Sequence, residues 1–438
     1  MSPVRIGLLG MGTVGGGTVN VLARNAADIA GRAGRPIQVT RAAVRDLSRG
    51  RICDVDGIEL TTDPASVVDS DDVDIVVELM GGTELARDLV LRALQKGKHV
   101  VTANKALIAL HGNELFAEAN KHGVTIAFES AVAGGIPVIK AIREGLAGNR
   151  VKWLAGIING TGNFILTEMR DQGRDFDDVL AEAQALGYAE ADPTFDVEGI
   201  DAAHKLAILG SIAFGMPLDF DQLTIEGISS ITPLDVEYAE QLGYRIKHLG
   251  IARRREHGVE MRVHPTMIPE RCLLANVNGV MNAVLVDGDA VGSTLYYGAG
   301  AGAEATASAV IADLVDIVRA LDAQPASRVP HLAFQPGALS DVAVLPAEEI
   351  EAAYYLRMTA DDQPGVLATV ASILGEHDIS IEAVVQKEPE PGATRVPLIM
   401  LTHRVHEGRV NAAIEKIAAS PHIENNIMRI RVETLDAA

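Results

Sequence analysis

Asp201 and Lys205 stand four residues apart in a stretch whose apolar spacing predicts a helix, so their side chains share a face. A lysine held beside a carboxylate can exchange a proton with a substrate hydroxyl, once burial and neighbours tune its pKa. The residues leading into that helix form a loop dense in carboxylates, Glu190, Asp192, Asp196 and Glu198, broken by Asp192-Pro193. Taken alone, the D-x-x-x-K spacing describes a solvated surface ion pair at least as well.

A second chemistry is written at the N-terminus. Gly10-Met11-Gly12-Thr13-Val14-Gly15 reads G-x-G-x-x-G, directly after a strand pattern and directly before a helix pattern. In a dinucleotide site the first glycine permits the tight turn, the second lets backbone approach a pyrophosphate, and the third allows close helix–strand packing. Thr13 and Val14 open the helix, whose free N–H groups and positive dipole end suit phosphates. The bland alternative is a glycine turn with no ligand.

The second strand should end near Val44, where an acid would select the ribose 2′-hydroxyl of NAD. The chain has Arg45 there, with Asp46 next and Arg49 close behind. Arginine suits a 2′-phosphate through charge-assisted contacts, which favours NADP. Asp46 keeps NAD open, and a solvated surface Arg45 reads equally well.

These groups need a scaffold to bring them together. Strand patterns at 4–9, 37–44, 74–79, 99–102 and 124–128 alternate with helix patterns such as Thr13–Ala30 and Glu84–Lys96. That rhythm predicts an α/β fold, a doubly wound parallel sheet of the Rossmann type over residues 1–130. Lys105, in Val101-Thr102-Ala103-Asn104-Lys105-Ala106, follows the strand at 99–102, at the carboxyl edge where such sheets bind ligands. Over 131–320 the spacing becomes less regular, predicting an α+β domain, and the helix pattern Glu304–Leu321 is expected to return to the first domain. Residues 322–347, with Pro325, Pro330, Pro336 and Pro346, read as a linker. Beyond it, 348–438 follow a βαββαβ order, with strands at 354–359, 379–386, 396–402 and 427–433 and helices at 365–376 and 408–419.

Gly187, Asp192-Pro193, Asp196, Gly199, Asp201 and Lys205 together fill every fixed position of the motif that marks the homoserine dehydrogenases, and the chain closely resembles that family. The resemblance extends over the first 320 residues. It implies reversible reduction of L-aspartate 4-semialdehyde to L-homoserine by NADPH or NADH, on the route to threonine, methionine and isoleucine. It implies that Lys205 shuttles the proton, that Lys105 contacts substrate near the nicotinamide, and that Glu190 and Asp201 hold the substrate amino group and organise a water. Gly187, Asp196 and Thr161, the last in Asn159-Gly160-Thr161, belong by resemblance to the substrate pocket, and Gly302 reaches the cofactor. Glu129 with the backbone carbonyls of Val132, Gly134 and Ile136 matches a site for Na+ or K+, where a plain glycine hinge is the competing account.

Residues from about 352 to 433 resemble an ACT domain, the small ferredoxin-like fold that senses amino acids. The match lies in Leu356-Arg357-Met358-Thr359-Ala360-Asp361-Asp362-Gln363-Pro364-Gly365-Val366-Leu367. It implies threonine as effector and a homodimer or homotetramer, with 131–320 both catalytic and dimerising. Asp378-Ile379-Ser380 departs from the Gly/Asn-rich turn of many ligand-binding members, so a purely oligomerising module remains the alternative.

Composition excludes other classes. A chain of 438 residues with a net charge of −21 repels nucleic acid and anionic membranes. No apolar run approaches the ~20 residues of a membrane span, and the first residues lack a signal-peptide layout, so a cytoplasmic enzyme is expected. Cys53 and Cys272 are isolated, which argues against an aldehyde dehydrogenase working through a cysteine thiolate. A catalytically silent sensor of nucleotide and amino acid is the other alternative. The joint presence of Lys105, Glu190, Asp201 and Lys205 argues against it.

Overall fold

The computed structural model describes residues 2–388 and 392–435. Its first sheet has six parallel strands in the order Glu59–Thr61, Ile37–Ala43, Val4–Leu9, Ile75–Glu78, His99–Thr102, Ile126–Ala127. The central strands are continuous apolar runs because helices cover both faces. On one face Ile6 and Leu8 pack with Val19 and Leu22 of the helix Thr13–Arg24 and with Val310 and Leu314 of the returning helix Ala303–Arg319. On the other, Leu9 and Val76 meet Leu89 and Val90 of Glu84–Gln95 and Leu107 and Ile108 of Lys105–Lys121. The doubly wound fold expected from the sequence is therefore present.

Three details differ. The helix expected over Thr13–Ala30 is two helices, Thr13–Arg24 and Ala26–Ala33, because Asn25 closes one and opens the other. Its backbone N–H still bonds to the Val21 carbonyl while its φ and ψ, −108° and +21°, leave the helix, and its side chain makes no capping hydrogen bond. The strand at 124–128 shrinks to Ile126–Ala127, and the edge strand Glu59–Thr61 carried too few residues to show a pattern. Gly17 also has a purpose its spacing hid. A Cβ there would sit 2.5 Å from the Ala303 carbonyl, so the returning helix crosses at that point.

The second sheet has 11 strands. Gly292–Ala299, Met281–Gly288, Val151–Ile157, Tyr244–Arg254 and Val259–Pro269 are antiparallel neighbours. The helix Ile200–Phe214 lies against the last two, and its other side meets the helix Lys105–Lys121. Gly199 and Gly215, at φ +84° and +66°, bound it in the left-handed conformation that glycine tolerates.

The same sheet runs on into the C-terminal module, since Met428–Val432 pairs in parallel with Val259–Pro269 at Thr266 and Met267. The module's strands Met428–Val432, Glu351–Asp361, Arg395–Thr402 and Ile381–Gln386 are antiparallel in spatial order 4-1-3-2. Helices Val366–Glu376 and Glu407–Ala418 bury their apolar sides on one face. The opposite face, with Tyr355, Ile399 and Ile430, packs on Val236, Ile246 and Met267 of the body. Ion pairs add to this junction, among them Arg357 with the buried Asp235 at 2.6 Å, the buried Arg431 with Glu226 at 2.7 Å and the fully buried Arg262 with Glu433 at 2.5 Å. The intervening segment 322–347 is also held, with Val259 N–H donating to Ala343 O and Leu345 N–H to Val259 O, both at 2.9 Å.

Candidate active site

Glu78 ends its strand buried and holds the loop that follows it. Its carboxylate accepts from Thr102 Oγ1 at 2.7 Å and from the Met80 and Gly81 amides at 2.8 and 3.3 Å. The loop so formed lies between two cavities whose linings share Leu79 and Gly81. One, of about 430 Å³, is lined by Gly10, Gly12, Arg45, Asp46, Arg49 and Arg51. The other, of about 260 Å³, is lined by Val14, Asn104, Lys105 and Phe195 among others. The two cavities flank the same loop, one toward the glycine turn and the other toward Lys105.

The glycines divide as their chemistry requires. A Cβ on Gly10 would lie 2.7 Å from Leu79 O, and one on Gly15 would lie 2.3 Å from Gly10 O. At Gly12 a Cβ meets no protein atom within 4 Å, so that backbone faces open space where a ligand could approach. Thr13 is exposed and begins the helix. Gly302, at φ +128°, caps the returning helix and is likewise exposed.

Arg45 is exposed on the cavity wall. The Asp46 carboxylate is turned toward its own loop, accepting from Ser48 N at 2.8 Å and Ser48 Oγ at 2.6 Å. Those bonds hold it below the usual carboxylate range. Arg51, which the spacing did not single out, lines the same cavity and donates to the Asp46 carbonyl.

At the other end Lys105, Asp201 and Lys205 meet. Lys205 Nζ donates to Asp201 Oδ2 at 2.6 Å and to the Ile158 carbonyl at 2.7 Å, while Lys105 Nζ lies 3.0 Å from Asp201 Oδ1. The surface ion pair considered from the spacing is thus excluded. The Asp201 and Lys205 side chains are only 6% and 11% exposed. Asn159 caps the helix Gly160–Gln172 with its side-chain oxygen, and its amide donates to Asp196 and Asp201, each at 2.8 Å.

The electrostatics follow from this packing. Burial would raise the Asp201 carboxyl, but Lys205, Lys105 and the hydrogen bonds of Lys205 and Asn159 hold it well below its usual range. Burial lowers the Lys205 ammonium; Asp201 opposes that shift and Lys105 adds to it. Asp196 is raised, first by burial and then by the Asp201 charge, against the Asn159 hydrogen bond. A lysine loosened this way, beside a fixed acid, is equipped to pass a proton.

The remaining expected residues do not join the hydrogen bonds of this cluster. Thr161 Oγ1 donates to Tyr188 O at 2.7 Å, pinning the loop that holds exposed Gly187 and Glu190. The Glu190 carbonyl accepts from Gln184 at 3.0 Å. Sequence reading gave no site role to His204, which is buried and stacked 4.4 Å from Phe220, or to Phe195, whose ring centroid lies 5.8 Å from Lys105 Nζ. It also missed the Ile158 carbonyl, for which no residue type leaves a trace.

Glu129 lies apart, buried beside the middle of the returning helix. Its carboxylate accepts from the Ile139 and Lys140 amides at 2.9 and 2.8 Å, and its own amide donates to Asp313 at 2.8 Å. Burial and the Asp313 charge raise Glu129 to about 7, and burial raises Asp313 to about 7. Ala133 and Gly134, at φ +51° and +24°, turn the chain beside it. The Val132 and Gly134 carbonyls accept no hydrogen bond among the described residues, whereas the Ile136 carbonyl accepts from Val138 N at 2.7 Å. No cluster of three or more His, Cys, Asp or Glu that could hold a metal occurs among the described residues, and none of their helices is long and apolar enough to cross a membrane.

The chain resembles known proteins along its full length. Residues 10–129 match the homoserine dehydrogenase NAD-binding domain, 137–315 the homoserine dehydrogenase catalytic family, and 354–422 the ACT domain. A homoserine dehydrogenase of Pseudomonas aeruginosa is 64% identical over 436 residues, spanning 100% of both chains, and one of Bacillus subtilis is 38% identical over 95% of each. A crystal structure of a homoserine dehydrogenase from Thiobacillus denitrificans superposes with a TM-score of 0.94 at 62% identity, covering 99% of both. A hyperthermophilic archaeal homoserine dehydrogenase in complex with NADPH matches with a TM-score of 0.62 at 27% identity, over 72% of this chain and 98% of that one. The chain belongs to the homoserine dehydrogenase family, oxidoreductases with a nicotinamide-binding domain, a catalytic domain and, here, a C-terminal ACT domain.

Proposed function

We propose that Lys205 delivers the proton, and Lys105 orients the substrate, in the reversible reduction of L-aspartate 4-semialdehyde to L-homoserine. The observation that carries this reading is the convergence of both ammonium groups on Asp201 at the end of the dinucleotide cleft. Bound NAD(P)H supplies the hydride. Gly10, Gly12, Thr13, Val14, Gly15 and Gly302 hold the dinucleotide through backbone. Asp201 and Asn159 fix Lys205 Nζ so that it faces the developing alkoxide, and Glu190, Thr161, Gly187 and Asp196 border the substrate. Initial rates of NADPH oxidation by the semialdehyde test the reading, and absence of turnover overturns it. L-Threonine in the same assay is expected to lower the rate through the ACT domain.

NADP is the favoured cofactor, because Arg45, Arg49 and Arg51 line one cavity while Asp46 is engaged with Ser48. The archaeal relative solved with NADPH supports the same preference. Arg45→Ala is expected to lower kcat/KM for NADPH by about tenfold or more, the size of one charge-assisted contact, with the value for NADH little changed. Equal losses for both cofactors would remove Arg45 from 2′-phosphate recognition.

The Glu129 pocket fits Na+ or K+, since a buried carboxylate and the Val132 and Gly134 carbonyls offer the oxygen-only ligation such ions prefer. The Ile136 carbonyl would complete it while keeping its bond from Val138. The sign of its pH dependence follows from the raised pKa values. Glu129 and Asp313 favour the native state while protonated, and that stability fades as pH rises through about 7. A bound cation would stabilise their charged forms. K+ in place of a bulky organic cation is therefore expected to raise Tm at pH 8 and to leave it unchanged at pH 5; an equal effect at both values would refute the site. The chain is assigned to the cytoplasm as a homodimer or homotetramer.

A further inference from the structure

The helix Lys105–Lys121 faces the nucleotide sheet on one side, and on another it forms a wall of a cavity of about 440 Å³. The rest of the lining comes from Gly123 to Thr125, from Pro217 just past the helix Ile200–Phe214, and from the segment 325–339 that leads to the ACT domain. This space is separate from the dinucleotide cleft: it shares no lining residue with either cavity described above.

Its walls are apolar, with Phe116, Pro217, Phe334 and Leu339, and Phe334 stays 41% exposed although it is a large aromatic. Polar residues interrupt them: Asn113, Asn120, Thr125 and Gln335, and the two basic ones, Arg328 and His331. Arg328 donates to the Gly123 carbonyl at 2.6 Å and the Ala323 carbonyl at 3.2 Å, but it has no carboxylate partner among the described residues. Its Nε is buried without a partner, and desolvation alone lowers its pKa, with no acid near enough to compensate. His331 stacks on Phe116 at 4.7 Å and accepts the Ile126 amide on Nε2 at 3.1 Å. That bond fixes the ring proton on Nδ1, a donor with no partner among the described residues.

A largely apolar space whose charged group is one uncompensated guanidinium, and which a neutral imidazole donor also lines, is complementary to an acceptor-ended apolar molecule. We infer that this cavity is a second ligand site, and that it takes a small monocarboxylate with a branched or aromatic apolar body. The carboxylate lies against the remaining N–H groups of Arg328 and the Nδ1–H of His331, and the body fills the space among Phe116, Phe334 and Leu339. Amines are disfavoured by the cation. Phosphates would need more than a single cationic group to offset their desolvation.

The test uses the whole chain loaded with NADPH and L-homoserine, a pair that cannot react together and that fills the catalytic cleft. Titration calorimetry with 4-methylpentanoate should show saturable binding, at least about tenfold tighter than for 4-methylpentanamide, as one charge-assisted contact implies. Arg328→Gln should weaken the acid by about the same factor. Leu339→Trp should abolish binding by filling the space while the far-UV spectrum stays unchanged. If Arg328→Gln does not fold, the acid–amide comparison and the Leu339→Trp variant decide. No saturable binding, equal affinity for acid and amide, or full binding by both variants would overturn the inference.

Discussion

Lys205→Ala is expected to lower turnover in both directions by about 10²-fold or more, the usual size of a lost general acid–base catalyst. NADPH affinity should be retained, because no atom of Lys205 lines the cavities of the dinucleotide cleft. Lys205→Arg should fail almost as badly. A guanidinium preserves charge but does not release a proton in the accessible pH range. The measurements are single-turnover rates of NADPH oxidation beside fluorescence titrations of the cofactor. If Lys205→Ala turned over at the wild-type rate, the proton would have to come from elsewhere, and Lys105 at the other oxygen of Asp201 would be the next group to test.

Asp201→Ala should do wider damage. Lys205 is buried and bonded to this carboxylate, so removing it leaves an ammonium with only the Ile158 carbonyl to receive it. Breaking one side of a buried ion pair costs about 3–5 kcal/mol, a large share of a domain's stability. Lys105 is a third exposed and contributes little to that sum, since water screens it. Asp201→Asn keeps the shape and loses the charge, which separates folding from catalysis. Asp201 raises the Lys205 pKa, so its neutralisation lowers it. The aldehyde-reducing activity, which needs Lys205 protonated, is then expected to fall off at lower pH than in the wild type. The stability contribution of Asp201 runs the opposite way from that of Glu129. It is present above the ordinary carboxylate value of 3.8 and is lost as pH falls toward the depressed folded value. A denaturation midpoint unchanged in Asp201→Ala, with an unshifted pH–rate profile in Asp201→Asn, would detach this acid from Lys205.

Much of this was readable in the linear chain because it depends on local chemistry. Glycine spacing dictates the turn at residues 10–15, since both Gly10 and Gly15 would bring a Cβ against a carbonyl. Alternating apolar runs dictate a parallel sheet covered on both faces, and a four-residue step places Asp201 beside Lys205. Short-range periodicity survives in sequence because backbone hydrogen bonding imposes it.

Contacts between distant residues decided the rest. Lys105 and Asp201 are 96 positions apart by number and meet only because the helix Ile200–Phe214 packs on the helix Lys105–Lys121. The Ile158 carbonyl on Lys205, the Asp313 carboxylate on the Glu129 amide and the crossing at Gly17 all involve backbone atoms, which every residue type carries alike. The joining of the ACT strands to the catalytic sheet through Met428–Val432 is of the same kind. Residue identity reports what a side chain can do. Which backbone group it meets is set by the packing of whole elements, and that is a property of the folded chain alone.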